Sequence, residues 1–93
     1  LVFALCGDLW ERPERFTGAA DALIWPVYID YTPAEWAEAR LEYAEQAAKT
    51  GLRALLINSL NDDEAFGGCC DFESGAIRAE LQMGREGLLY VEI

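Results

Sequence analysis

The chain contains no histidine. That absence removes Cys–His and Ser–His catalysis, the commonest zinc ligand and the usual proton shuttle near neutral pH. Positive charge is also scarce: 7 lysines and arginines stand against 17 acids, for a net charge of −10. Such a balance repels phosphate backbones, so nucleic acid is not an expected partner, and it favours solubility. No apolar run approaches the ~18 residues a membrane-spanning helix needs, and no signal-peptide pattern is present, so no membrane association is expected. Cysteines number three, with no C-x-x-C spacing. An odd count argues against a disulfide framework and for a reducing, cytoplasmic setting. The acidic run Asn61-Asp62-Asp63-Glu64 lacks the spaced ligands of a calcium loop, so it reads as a solvated loop and no metal site is expected.

The 93 residues are enough for one domain, spanning 1–93. The apolar share of 53% lies slightly above the ~45–50% of ordinary soluble domains. A chain this short buries only about 60% of its unfolded surface. The excess therefore has two readings: a rich core, or surface meant for a missing half or a second copy. The chain starts at Leu1 inside a strand-like run, which reads as part of a longer protein.

Residues 1–6 form an unbroken apolar run with Val2 and Phe3, a buried strand by composition. Residues 9–20 fit a short helix with Pro13 in its first turn, ending near Gly18. Residues 21–27 read as a second strand broken by Pro26, which cannot donate to a sheet ladder. Thr32-Pro33-Ala34-Glu35 is a capping box with proline at the first helical position. The helix that follows repeats Ala37, Leu41, Ala44 and Ala48 at three-to-four spacing, flanked by Trp36 and Tyr43. Lys49 suits its last turn and Gly51 its left-handed cap. Residues 52–60 read as a third strand. Residues 69–72 and 76–83 flank Glu73-Ser74-Gly75 as a hairpin with a three-residue link, and Gly87–Ile93 reads as a last strand. The order is β-α-β-α-β followed by short-linked strands, an α/β (α+β) pattern with about six strands and two helices.

Parallel strands with crossover helices place ligand sites at the strands' carboxyl ends. Cys6 stands at the end of the first strand, followed by Gly7 and Asp8. Taken alone, a cysteine there is usually a small buried hydrophobe. The ordered set of residues around it resembles the nitrilase, or carbon–nitrogen hydrolase, superfamily, and only that family's C-terminal half. The matching elements are Cys6-Gly7-Asp8, Pro13-Glu14, Ala19-Ala20-Asp21 with the strand to Pro26, Trp36 and the strand ending at Asn58. Gly67-Gly68, Gly75 and Glu86-Gly87-Leu88-Leu89 complete them.

The resemblance implies half of a four-layer α-β-β-α sandwich and a Glu-Lys-Cys triad acting on an amide or nitrile, with no cofactor. In it, Cys6 is the nucleophile position and the Gly7 backbone N–H an oxyanion donor. Glycine would let the backbone approach the substrate closely. Asp8 reads as a brace for the turn. Leu9 and Trp10 stand where some carbamoyl-amino-acid hydrolases carry arginines, which argues for an apolar substrate over a carboxylated one. Trp10 and Tyr28 are candidate pocket residues; the alternatives are a core or interface anchor for Trp10 and a loop cover for Tyr28. The only lysine, Lys49, falls outside the family's catalytic position, so this chain by itself is expected to be inactive.

Two functions follow: a fragment of an amidase-like hydrolase, or a non-catalytic module that self-associates. The expected partners are accordingly a second copy, as a homodimer, or a missing N-terminal half. Adjacent Cys69 and Cys70 are expected on opposite faces of a strand rather than joined to each other.

Overall fold

A computed structural model describes residues 1–5, 7–29, 31–59 and 67–82. They form a mixed α/β unit: one five-stranded sheet, two α-helices and a 3₁₀ turn. The elements in chain order are β1 (Val2–Phe3), α1 (Asp8–Glu11), the 3₁₀ turn (Pro13–Phe16), β2 (Ala22–Val27), α2 (Pro33–Ala48), β3 (Arg53–Asn58), β4 (Cys69–Glu73) and β5 (Ala76–Leu81). The strands lie side by side in sequence order, with β1, β2 and β3 parallel and β3, β4 and β5 antiparallel. The last strand expected from Gly87–Ile93, and with it Glu86-Gly87-Leu88-Leu89, lies outside the described residues, as do Cys6 and the 61–64 loop.

The capping box forms as read. The Glu35 amide donates to Thr32 Oγ1 at 3.2 Å, and the Thr32 amide to Glu35 Oε1 at 3.0 Å. These bonds also hold the Glu35 carboxyl below its ordinary range. Lys49 is the C-terminal cap residue of α2, and Gly51 takes the left-handed conformation at φ 72°.

Five local expectations are corrected. The first strand is only Val2–Phe3. The stretch after it divides into α1 and the 3₁₀ turn instead of one helix, with Pro13 opening the second piece. Pro26 does not break β2, which runs on to Val27. The Ile24 carbonyl accepts from the Ala4 amide, on the β1 side. Pro26, two residues on, turns the same edge outward, and β1 has already ended there, so no ladder bond is lost. The β4–β5 link has two residues, because Glu73 pairs with Ala76. Ser74 and Gly75 take φ 53° and 81°, the two positive values a type I′ turn requires.

The fifth correction concerns α2. Leu41 is 57% exposed and Ala37 is exposed, whereas Trp36, Ala44, Gln46 and Ala47 are buried. Large rings set the packed face: Trp36 and Tyr43 each offer far more apolar area to bury than any one alanine of the stripe. This face covers one side of the sheet, packing on Leu23, Trp25, Ala54, Leu56, Cys70 and Phe72.

The opposite side carries Phe3, Ile24, Leu55 and Asp71 in one cross-strand row and Pro26, Ile57, Cys69 and Leu81 in the next. Phe3 is 65% and Ile57 50% exposed, so among the described residues no helix layer covers this side. Asp71 is neutralised there by Arg53 in a two-bond fork, at 2.9 and 2.7 Å.

Candidate functional site

The carboxyl ends of β1 and β2 open onto a cavity of about 220 Å³ lined by Gly7, Trp10, Val27, Tyr28, Ile29, Tyr31 and Tyr43. Three of the four residues singled out from sequence, Gly7, Trp10 and Tyr28, meet here. The fourth, Cys6, is outside the described residues, and its neighbour Gly7 marks that end of the sheet.

The turn beside the cavity is held locally. The Asp8 amide donates to the Leu5 carbonyl at 2.7 Å, and the Leu5 amide donates to Asp8 Oδ2 at 3.0 Å. Asp8 is thus a brace, as read. Gly7 sits at φ −79°, ψ −7°, a conformation open to any residue, and a Cβ built on it would meet nothing within 4 Å. Its backbone therefore does not require glycine.

Helix α1 is fixed to α2 by Gln46, whose Nε2 donates to the Leu9 carbonyl at 2.5 Å. Leu9 is fully buried and Trp10 is 38% exposed. Trp10 meets Tyr43 edge-on, with centroids 4.9 Å apart and planes at 83°. Tyr43 also touches Trp36 at 5.0 Å, Trp25 at 5.6 Å and Tyr31 at 6.5 Å. One residue in the middle of α2 thereby ties the cavity wall to the core. Tyr31 and Tyr43 were not read from sequence as site residues; the tyrosines spaced through VYIDY were the available signal.

The floor of this end is held by Asn58. Its Oδ1 accepts from the Ile29 amide at 2.7 Å, and its Nδ2 donates to the carbonyls of Gly67 at 3.0 Å and Ile29 at 3.3 Å. Gly67 and Gly68 adopt φ 74° and 93°, which brings the chain back against β3 so that the Asn58 amide reaches the Gly68 carbonyl at 3.0 Å.

Lys49 lies at the other end of the sheet. Helix α2 starts near the cavity and finishes beside a separate cavity of about 400 Å³, lined by Ala48, Gly51, Asp21 and Arg53 among others. The lysine is exposed.

Cys69 and Cys70 fall on opposite faces, as expected, and neither is in a disulfide. Burial raises the Cys69 thiol. Burial pushes the Cys70 thiol up to about 12, with Glu80 and Cys69 adding to the shift and Arg40 opposing it. Glu80 in turn pairs with Arg40 of α2. A raised folded-state value means the unfolded chain loses its proton first, so stability is intact below the ordinary thiol value of about 8.5 and falls as pH rises toward 12. Urea titrations across that window are expected to show a smaller alkaline loss in Cys70→Ala than in the parent chain.

Among the described residues no helix is long and apolar enough to cross a membrane, and no group of three or more Cys, Asp or Glu side chains is placed to hold a metal ion. Neither a comparison with protein-family models nor one with curated proteins returns a match.

Proposed function

We propose that the chain is a part of a cysteine-dependent carbon–nitrogen hydrolase, resembling the C-terminal half of the nitrilase fold, with Cys6 as nucleophile. The observation that carries this reading is the cavity at the carboxyl ends of β1 and β2, where Gly7, Trp10 and Tyr28 converge. In this reading the Gly7 amide is the oxyanion donor, and Trp10 and Tyr28 contact a small amide or nitrile. With an amide the thiolate adds to the carbonyl carbon, the C–N bond breaks as the protonated amine or ammonia leaves, and water then cleaves the thioester to the acid and the free thiol. With a nitrile it adds to give a thioimidate, from which water releases ammonia. In this reading the Glu base is carried by the other half of the fold, and the ammonium is not supplied by Lys49, which sits at the far end of α2. The chain alone is therefore expected to release no ammonia from small amides above background. Turnover that persists in Cys6→Ala would overturn the assignment.

Among the described residues no helix covers the sheet face on which Phe3 and Ile57 are exposed, and this supports the same architecture. In a four-layer sandwich the side bearing Phe3, Leu55 and Ile57 would meet a second sheet. The same face favours a second reading, a module that pairs with its own copy. Light scattering separates the two: a concentration-dependent dimer that Ile57→Lys abolishes supports self-association, and a strict monomer counts against it.

A further inference from the structure

Among the described residues seven line the cavity at the Gly7 end, and four of them are aromatic: Trp10, Tyr28, Tyr31 and Tyr43. The other three, Gly7, Val27 and Ile29, are uncharged, so among the described residues no lysine or arginine contributes to the lining. A carboxylate or phosphate would find no counter-charge there. The rings stand at near right angles: Trp10 to Tyr43 at 83° and Tyr31 to Tyr43 at 90°, with centroids 4.9 and 6.5 Å apart. The ring faces therefore point in different directions instead of lying stacked. At about 220 Å³ the space is below the ~300–1,000 Å³ of drug-sized ligand sites and suits a compact head group. Trp10 and Tyr28 are 38% and 46% exposed, so the cavity is reachable from solvent. The chain around it carries a net charge of −10, which draws cations toward its surface.

We propose that this cavity is an aromatic cage for a quaternary ammonium group of the choline type. The faces of tryptophan and tyrosine rings attract a cation within ~6 Å of the centroid, and a trimethylammonium group has no N–H donors that would demand polar partners. The inference rests on the preceding reading only in taking this cavity as the ligand cleft, and it names the substrate class as amides or nitriles bearing such a cation.

The test is equilibrium binding of choline against its uncharged carbon isostere, 3,3-dimethylbutan-1-ol, followed by NMR titration of the full chain. Choline is expected to bind about 10-fold tighter or more, with affinity falling as salt is added. Trp10→Leu, which keeps apolar area but no ring, is expected to abolish the preference, and Trp10→Phe to retain part of it. Circular dichroism of each variant reports its folding. Equal affinity for the two probes, or no saturable choline binding in the millimolar range, would overturn the cage. Pairing the titration with iodoacetamide labelling of the parent chain keeps the outcomes apart: a choline preference with an unreactive Cys6 leaves the cage standing and removes the hydrolase, whereas a reactive Cys6 without choline preference does the reverse.

Discussion

Asn58→Leu is expected to remove about 3–5 kcal/mol of folding stability. The asparagine is buried and meets three backbone groups, the amide and carbonyl of Ile29 and the carbonyl of Gly67. Leucine fills a similar volume and satisfies none of them. Each buried group left without a partner costs about 1–3 kcal/mol. Folded domains of this size hold in total only about 5–14 kcal/mol, so the loss is a large share. Urea midpoints are expected to fall sharply with little change in slope.

Asn58→Asp gives a sharper diagnostic. Its carboxylate can still accept from Ile29 but would face two carbonyls, so its folded-state value is expected to rise. A raised value places its stability at low pH, with the loss appearing as pH climbs through and above the carboxyl range. This variant should therefore approach the parent chain at about pH 4 and fall well below it at pH 7. A parallel deficit at both would contradict the bonding pattern.

Trp25→Ala is expected to cost about 3–5 kcal/mol, the usual range for a large ring removed from a core. Trp25 is fully buried at the centre of β2 and stacks on Tyr43. Its loss would take the support from beneath the ring that also holds Trp10, Tyr31 and Trp36. Near-ultraviolet circular dichroism should lose its aromatic signal beyond what one tryptophan accounts for. Trp25→Phe should keep most of both. Retention of the full signal in Trp25→Ala would show that the cavity wall stands without this contact.

Much of the framework was legible because its causes are local. Thr32 and Glu35 cap α2 within one turn, Gly51 ends it, and the apolar strands needed no distant partner to be recognised. The misreadings share a different cause. Whether Pro26 interrupts β2 depends on where β1 stops, and that is set across the sheet. The length of the β4–β5 link depends on the pairing of Glu73 with Ala76 across the two strands. The buried face of α2 was misplaced because alanine spacing suggested one stripe, while Trp36 and Tyr43 had aromatic partners on other elements.

The site was legible in the same uneven way. Gly7 and Trp10 were named through the family resemblance and Tyr28 from its place just past Pro26, and all three fall near the strand ends where an α/β sheet concentrates its ligands. Tyr43 could not be named, since a residue in mid-helix reaches the cavity only through the packing of α2 on the sheet. Gln46 was missed for the same reason: a polar residue with a single distant acceptor, the Leu9 carbonyl, looks like any surface glutamine in sequence. Asn58 was noticed as a strand end, but its three bonds exist only once Ile29 and Gly67 have been brought beside it.

The reactivity of Cys6 tests the central claim most directly. Native alkylation with iodoacetamide near pH 7.5, followed by peptide mass spectrometry, ranks all three thiols in one experiment. Cys70, with its thiol pushed up to about 12, and Cys69, raised by burial, supply internal references with little thiolate. Labelling of Cys6 about 100-fold faster than Cys70, and ahead of Cys69, is the expected result. Equal slow labelling of the three, or Cys69 reacting first, would contradict Cys6 as a nucleophile.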